Sequence, residues 1–436
     1  MNPLPREDDQ CGWTSILPRR TPRPELTENV EADWAVLGAG FTGLAAARRL
    51  AEARPDDRIV VLDAGAVADG ASGRNSGFAI DHAHTLGGGV AATESARGQK
   101  RLYSKAIDHM AELVEAHGIE CDWRNDGKFH GASSAAGAEK YLRPLCHELE
   151  EIDEPYRWLD ADEMRDELGT AHYHAGIYTS GTVLVNPAAL IRGLAECLPE
   201  NVTLFENSPV TELDASGPVV LTTPNGHVTS PKLILATNAY TPGTGYFSRA
   251  LLPFAAFASL SRPMTSEEQS TLGGRSSWGV TPANAFVGAT IQKTGDARIL
   301  FRQTITYRAS LRHDVTELET IRLRHKALFQ ARFPTIRDLN LDQTWGGYLC
   351  LSRNQDSAFG QFGDHVWGAA GHQGIGVTRG TIGGMLAADM AMGEANPLIE
   401  DMMRIAHPVQ NPPRPLLDIG INLRTRWEAW NDRHEA

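Results

Sequence analysis

Two short apolar runs enclose a helical pattern near the start of the chain. Trp34–Leu37 is a continuous apolar run, and small residues recur on one face of the segment that follows it, as far as Ala53. Pro55 interrupts that pattern, and a second apolar run, Ile59–Leu62, follows. Short apolar runs bounded by turn residues are typical of buried strands, so the segment predicts a strand–helix–strand unit.

The pattern then predicts alternating helices and strands up to about residue 245. Helices are predicted at 100–117 and 187–198 because apolar residues recur there at helical spacing, and Pro187 suits the first helical position of the second. Strands are predicted at 119–130, 172–186, 202–205, 219–222 and 232–238.

From about residue 246 the pattern changes. Longer strand-like stretches appear at 285–292 and 298–303, and one charged helix is predicted at 315–333. The pattern of a short buried strand followed by a helix of small residues returns later, with a strand at 366–370 and a small-residue helix at 380–392. The chain is therefore predicted to leave its first domain and to re-enter it at least twice.

Composition narrows the class of protein. The 436 residues are 42% hydrophobic, and the net charge of −13 argues against nucleic acid or an anionic membrane as the main partner. The five cysteines have no C-x-x-C spacing, so neither a zinc site nor a disulfide framework is predicted. We find no apolar run of about 18 residues and no secretory signal, so no membrane span and a cytoplasmic location are expected.

The sharpest motif is Gly38-x-Gly40-x-x-Gly43, directly after the first strand. Glycine permits a tight turn at the first position, close approach of a pyrophosphate at the second and close helix–strand packing at the third. The following helix directs its positive end at the phosphates. Asp63 ends the second strand, where a carboxylate accepts hydrogen bonds from ribose. A dinucleotide is predicted, but this motif does not choose between NAD and FAD.

Two further glycine-rich loops favour FAD. Gly70–Gly77 follows Asp63 closely and can wrap a pyrophosphate and reach a flavin ring. The loop at 371–378 precedes a helix, where backbone N–H groups can stabilise negative charge on a reduced ring. Taken singly, the first loop is also compatible with a flexible surface loop and the second with a plain loop–helix junction.

With these motifs in this order, the sequence resembles the FAD-dependent D-amino-acid oxidase/glycine oxidase superfamily, and within it the γ-glutamylputrescine-oxidase-like branch. The resemblance covers residues from about 11 to 395. It is carried by the segments 36–44, 61–64, 70–77, 121–124, 185–188, 236–240, 345–347 and 374–380.

The resemblance implies a Rossmann-like FAD-binding domain and a second, mostly antiparallel β-sheet domain that roofs the substrate site. It also implies oxidation of the carbon next to an amine to an imine, which water hydrolyses, with oxygen or another electron carrier as acceptor. The predicted division of the chain is an arm (1–30), a discontinuous FAD domain (31–110, 187–245 and 346–395), a substrate domain (111–186 and 246–345) and a C-terminal extension (396–436).

Residues matched to the family's motifs are expected to bind FAD. The AMP half is assigned to Gly38, Ala39, Gly40, Phe41, Thr42, Gly43, Asp63 and Ala64, the pyrophosphate and ribityl region to Ala71, Ser72, Gly73, Arg74, Asn75 and Ser76, the adenine to the backbone of Val210, and the ring edge to Gly374, Gly376, Val377 and Thr378.

The chain departs from the family pattern at two positions. Asp63 stands where the family usually has Glu, and Thr378 stands in the region where the sarcosine-oxidase branch often has a lysine that binds a substrate carboxylate. No cysteine or histidine matches a position for covalent attachment, so FAD is expected to bind non-covalently and no metal is predicted.

The candidates for catalysis or substrate binding are His82, His372, Arg302 and Tyr307, with His84 as a further candidate base. A histidine in such a pattern is more often structural or at the surface than catalytic, and Arg302 is at least as compatible with an outward-facing, solvated position. A desolvated pocket that lowers the pKa of the amine is an alternative to a base.

Four functions follow from these patterns. The first is an amine or amino-acid oxidase, and the second is a dehydrogenase that passes electrons to a carrier or quinone. The third, an NAD(P)-dependent reductase, is disfavoured by the second and third glycine loops. The fourth is a non-catalytic flavin-binding subunit. The small-molecule amine itself and the oligomeric state stay open.

Overall fold

Two large β-sheets, one of six strands and one of eight, organise the fold in the computed structural model, which describes residues 9–82 and 93–436. The two sheets draw their strands alternately from the chain, so each combines segments that are distant in sequence. The chain therefore passes from one sheet to the other and back more than once.

The six-stranded sheet is parallel except at one edge, where the strand Ala358–Gly363 pairs antiparallel with its neighbour. The strand Leu233–Leu235 pairs with Trp34–Leu37, although almost 200 residues separate the two strands in sequence. The strands in spatial order are Ala358–Gly363, Val366–Ala370, Leu233–Leu235, Trp34–Leu37, Ile59–Leu62 and Val202–Phe205.

Helices cover one face of this sheet and a smaller sheet covers the other. Val36 and Val61 pack against the helices in one apolar cluster, whereas Leu37 and Val60 point to the opposite face, as alternation along a strand requires. The helices are Phe41–Ala53, Thr93–His117, Pro187–Glu196 and Gly376–Met392. The smaller sheet contains Val30–Glu31, Gly226–Ser230, Val219–Thr223 and Glu212–Asp214.

The eight-stranded sheet is mostly antiparallel, as the resemblance implied. Its one parallel pair joins Trp278–Pro282 to Lys128–Ala132. The strands in order are Leu341–Ser352, Leu251–Ser261, Ile299–Tyr307, Thr290–Lys293, Trp278–Pro282, Lys128–Ala132, Ala175–Thr179 and Arg157–Leu159. The helix Val315–Arg332 packs against it through Phe329 and Ile321.

Shorter elements connect these layers, and a two-stranded pair joins Phe78–Ala79 to Val183–Leu184. The remaining helices are Gly12–Ser15, Ala71–Arg74, Ala135–Gly137, Arg143–Glu151, Ala161–Leu168, Ser266–Leu272, Leu398–Met403 and Leu416–Asn431, with a π-helix at Ala138–Leu142 and 3₁₀ helices at Asn238–Thr244, Pro334–Ile336 and Arg433–Glu435. Within the two described stretches, no helix combines the length and apolar composition that crossing a bilayer requires.

Several boundaries differ from those that the pattern predicts. The stretch predicted as a strand at 285–292 becomes extended only at Thr290, because Ala283–Gly288 forms a turn around the side chain of Asn284. The strand Leu341–Ser352 continues beyond the predicted boundary between 345 and 346, and the helix Thr93–His117 crosses the one between 110 and 111. The domain division itself stays a prediction.

The described part of the N-terminal arm lies on the surface of the fold as an ordered segment. Trp13 and Leu26 are each about 1% exposed, so the arm contributes to the core. Arg20 pairs with the buried carboxylate of Glu206 at 2.7 Å, and Asp9 pairs with Arg74 at 2.6 Å. These paired charges hold the described part of the arm against the fold at two points.

The helices Phe41–Ala53 and Gly376–Met392, which cover the six-stranded sheet, cross where the second helix has glycine residues. A Cβ at Gly384 would lie 2.0 Å from the backbone oxygen of Thr42, and a Cβ at Gly380 would lie 3.0 Å from its hydroxyl. A backbone oxygen in the first turn of a helix has little freedom to move, so the crossing distance depends on these glycines.

We expect Gly384→Ala to lower the free energy of unfolding by about 1–3 kcal/mol, because the methyl group overpacks a contact made by backbone. Urea denaturation of the purified protein measures this change. Gly217→Ala is the matched control, since a Cβ there meets no atom within 4 Å. Equal stability of the two variants would contradict the crossing geometry.

Candidate functional site

A cavity lies between the carboxyl ends of the parallel strands and one face of the eight-stranded sheet. Its wall includes Leu37, Leu62 and Ala236 from the strand ends, and Ala258 and Arg302 from the other sheet. Carboxyl ends of parallel strands are the usual location of ligands in such folds. Of the residues predicted from sequence, the wall contains Gly38, Ala39, Gly40, Phe41, Thr42, Asp63, Ala64, Ala71, Ser72, Arg74, Asn75, Ser76, Val210, Arg302, His372, Gly374, Gly376 and Val377.

The first glycine loop lies at the floor of the cavity. Gly38 has φ +106°, a left-handed conformation that favours glycine, and a Cβ at Gly40 would lie 2.6 Å from Ser72 Oγ. The helix begins at Phe41 without a side-chain cap, although the Phe41 N–H donates to Ser72 Oγ at 3.1 Å. The positive end of the helix therefore faces the cavity.

Asp63 lies beside this loop with its carboxylate at the cavity wall. Its two oxygens accept hydrogen bonds from the backbone N–H groups of Ala39 at 2.7 Å and Gly65 at 3.0 Å. Desolvation nevertheless raises the pKa of Asp63 to about 6. An acceptor at this position, with lone pairs left over, fits the hydroxyl groups of a ribose.

The second glycine loop is held in place from outside by the N-terminal arm. The Arg74 guanidinium donates to the Asp9 carboxylate at 2.6 Å and to the Gly346 carbonyl at 3.0 Å. The Trp13 indole N–H donates to the Asn75 carbonyl at 2.9 Å. These contacts make the loop a fixed wall of the cavity, in contrast to the alternative of a flexible surface loop.

The third glycine loop joins the first through a histidine. Gly371 and Gly374 have φ values of +70° and +82°, and the helix that follows begins at Gly376 without a side-chain cap. His372 Nε2 lies 3.1 Å from the Thr42 hydroxyl. Burial, with the positive charge of Arg379, lowers the pKa of His372 to about 3. The ring is therefore neutral and links two cavity loops.

Arg302 lies in the part of the wall formed by the eight-stranded sheet. Its guanidinium donates to the Ala285 carbonyl at 3.2 Å and to the Thr290 hydroxyl. No carboxylate pairs with it among the residues that the structure describes. Burial lowers the pKa of Arg302 to about 10, which leaves the side chain charged at neutral pH.

Three predicted cofactor residues support the wall from behind without lining it. A Cβ at Gly43 would lie 1.7 Å from the Gly38 carbonyl oxygen, and one at Gly73 would lie 2.2 Å from the Ala68 carbonyl oxygen. Glycine at these positions permits the close packing that shapes the loops. Thr378 is fully buried next to Val377.

Two of the other predicted residues lie elsewhere. His82 Nε2 is 3.1 Å from the buried carboxylate of Glu148, away from the cavity wall. The Tyr307 hydroxyl donates to Asp418 at 2.8 Å, because this end of its strand packs against the C-terminal helix. His84 lies outside the described residues. The structure therefore does not bring His82 or Tyr307 into the cavity.

Several wall residues were not assigned from the sequence. Asn238 and Tyr240 follow the strand Leu233–Leu235, and Gly347 lies against Arg74. Asn238 also accepts a hydrogen bond from the Gly371 N–H at 3.0 Å, which fixes the third loop. The segments 236–240 and 345–347 are both among those that carry the family resemblance. The sequence therefore marked them as shared with the family, but it did not indicate that they line the cavity.

The wall fits a dinucleotide such as FAD. Glycines leave room for close approach at the floor, and an uncapped helix end faces inward. The Asp63 carboxylate, at the end of the neighbouring strand, lies beside the glycine loop. The third loop adds a second uncapped helix end on the same cavity.

Comparison with known proteins agrees with this geometry. The chain is 28% identical to gamma-glutamylputrescine oxidoreductase of Escherichia coli over 392 residues, covering 86% of this chain and 87% of that one. It is 27% identical to the probable oxidoreductase OrdL of Haemophilus influenzae over 391 residues, with 85% of each covered. Glycine oxidase from Geobacillus kaustophilus shares the fold, with a TM-score of 0.71 at 19% identity over 85% of this chain and 96% of that one.

The family model for FAD-dependent oxidoreductases, DAO, matches residues 33–390. This range contains all three glycine loops and both large sheets. The chain therefore belongs to the DAO family of FAD-dependent oxidoreductases, and its cofactor is FAD.

Proposed function

We propose that the enzyme oxidises the C–N bond of an amine or amino acid to an imine, which water hydrolyses to a carbonyl compound and an amine or ammonia, with oxygen reduced to hydrogen peroxide. FAD, when bound, supplies the hydride-accepting chemistry that the oxidation requires. The relatives' names support an amine substrate, since they include gamma-glutamylputrescine oxidoreductase and glycine oxidase.

The observation that carries the proposal is the cation in the cavity wall. Arg302 is charged and partly buried, and within the described chain only neutral oxygens accept from it. A buried guanidinium of this kind pairs well with a carboxylate. We infer a substrate that bears an anionic group in addition to its amine.

The same cation favours the reactive form of the substrate. An amine must be neutral to lose a hydride from the adjacent carbon. Ala256, Ala258, Ile305 and Leu349 make the neighbouring wall apolar, and desolvation there lowers the pKa of an amine. The positive charge of Arg302 lowers it further by repulsion. No side-chain base is required by this arrangement.

The proposal assigns His372 a positioning role, because its Nε2 is already engaged by Thr42. His82 and Tyr307 lie outside the cavity wall and have no part in contacting the substrate. We propose that FAD is held non-covalently, by residues 38–42, Asp63 and Ala64 at its AMP half, by residues 71, 72 and 74–76 at the pyrophosphate and ribityl, by Val210 at the adenine, and by Gly374, Gly376 and Val377 at the ring edge. Gly43, Gly73 and Thr378 support these loops from behind.

The decisive experiment is an anaerobic titration of the flavin-loaded protein with a panel of amines, with and without carboxylates. We expect bleaching of the flavin absorbance by at least one anionic amine, and hydrogen peroxide when air is admitted. Bleaching without peroxide, with turnover restored by an artificial electron acceptor, would replace the oxidase by a dehydrogenase. Absence of bleaching by every amine would favour a non-catalytic flavin-binding role.

Arg302→Met is expected to raise KM for anionic amines about 10–100-fold, because a charge-assisted hydrogen bond contributes about 1.5–3 kcal/mol. Amines that lack an anionic group should lose much less. Steady-state kinetics with matched substrate pairs measures the difference. Arg322→Met is the control, since Arg322 pairs with Glu319 on the exposed side of a helix. A uniform loss across both substrate types would count against the assignment.

The affinity for FAD is expected to depend on the ionisation of Asp63. With a pKa of about 6 in the free protein, this carboxyl gains a proton as the pH falls from 7 to 5. If FAD binds the ionised form, the Kd rises about tenfold over that range. Fluorescence titration of the apoprotein measures the slope. Asp63→Asn should bind FAD more weakly at pH 7 and show no such slope, whereas an unchanged slope would exclude Asp63 as its source.

A further inference from the structure

The C-terminal helix Leu416–Asn431 presents an apolar outer face to solvent. The five large apolar side chains of this outer face are each more than half exposed: Leu416 66%, Ile419 55%, Leu423 63%, Trp427 58% and Trp430 65%. We call these five residues the outer stripe. Single exposed apolar residues are normal on a protein surface, but a contiguous stripe with two tryptophans marks an interaction site.

The opposite face of the same helix is already docked. Leu417 and Ile421 pack in a cluster with Ile305 and Leu349, two residues of the cavity wall. Asp418 accepts the hydrogen bond from Tyr307. The position of the helix is therefore fixed by its inner face.

The end of the chain is anchored as well. Asp432 accepts from the Asn284 amide at 2.8 Å and pairs with Lys140 at 2.8 Å. The Glu435 carboxylate accepts from the Ser133 N–H at 2.8 Å. Since both ends and one face of the helix are held, the outer stripe is a surface of the folded chain and has a defined shape.

The residues of the outer stripe have the same spacing whether the helix is read from its N-terminus or from its C-terminus. Successive members are separated by three, four, four and three residues, with Leu423 at the centre. An identical helix laid antiparallel across it would therefore place apolar against apolar along its length. Leu416 would face Trp430, Ile419 would face Trp427, and Leu423 would face itself. Leu416 and Ile419 would each meet a tryptophan, and the two copies of Leu423 would meet at the centre, which suits interdigitated packing.

We propose that the outer stripe is the interface through which two copies of this chain form a two-fold symmetric dimer. The charges beside it are compatible with such a pairing. Arg424 and Arg426 flank the stripe, but the antiparallel register places them opposite Asn422 and Gly420 of the other copy. Arg424 is also paired with Glu428 of its own helix at 2.9 Å. No like charges then meet directly.

The area of the stripe suits a dimer as well. Two tryptophans and three aliphatic side chains, each more than half exposed, present on the order of 500–600 Å². With the flanking polar residues this approaches the ~800 Å² that each partner contributes to a standard interface. The dimer would also buttress Ile305 and Leu349 through the inner face of the helix.

Analytical ultracentrifugation of the flavin-loaded protein at tens of micromolar is expected to show a dimer. Leu423→Glu places two carboxylates on the two-fold axis, and we expect its dimer dissociation constant to rise at least 100-fold. Ala429→Glu adds the same charge at an exposed position outside the stripe and should stay dimeric. Retained flavin absorbance shows that both variants are folded. A monomeric wild type, or a dimer that survives Leu423→Glu, would overturn the proposal.

Disulfide trapping tests the register independently. Leu423→Cys is expected to form a covalent dimer on mild oxidation, whereas Ala429→Cys is not. Leu416→Cys and Trp430→Cys should cross-link when mixed, but Leu416→Cys alone should not, since two copies of position 416 would lie about 21 Å apart. Cross-linking of Leu416→Cys to itself would overturn the antiparallel register.

Binding of monomeric protein to anionic phospholipid vesicles, abolished by Leu423→Glu, would replace the dimer by a membrane surface.

Discussion

The structure depends on how closely backbone can approach backbone around Thr42. Gly43 lets the helix that contains Thr42 pack on the Gly38 carbonyl, Gly384 lets a second helix cross its backbone oxygen, and His372 lies against its hydroxyl. Each contact joins a different part of the chain to the same helical turn. The first and third glycine loops meet at this turn because it offers no room for side chains between them.

Charge is distributed unevenly around that cavity. At the nucleotide end, Arg74 is fixed by Asp9 from the arm, and the uncapped helix supplies positive potential without a mobile side chain. At the other end, Arg302 is a formal cation held by neutral oxygens. The wall therefore has two separate positive groups, as the proposed binding of a cofactor diphosphate and an anionic substrate requires.

The sequence predicts the local units of this fold well and the long-range ones poorly. The first strand–helix–strand unit is confirmed almost to the residue because its apolar runs and glycines act over short distances. The strand Leu251–Ser261 was not predicted, since it is buried almost throughout and shows no alternation of apolar and polar residues. Arg302 was a candidate from its position on a strand, whereas Tyr307 on the same strand faces the C-terminal helix, a contact between segments more than 100 residues apart that no local pattern contains.

The interleaved order of the six-stranded sheet has a consequence for synthesis of the protein. The central strand Leu233–Leu235 pairs on one side with Trp34–Leu37 and on the other with Val366–Ala370, and the helix Gly376–Met392 completes the layer. A chain still emerging from the ribosome therefore carries an incomplete sheet with an apolar edge until most of its length has been translated. Unpaired strand edges and exposed apolar surface promote aggregation, so the nascent chain is most exposed to misassembly during this interval.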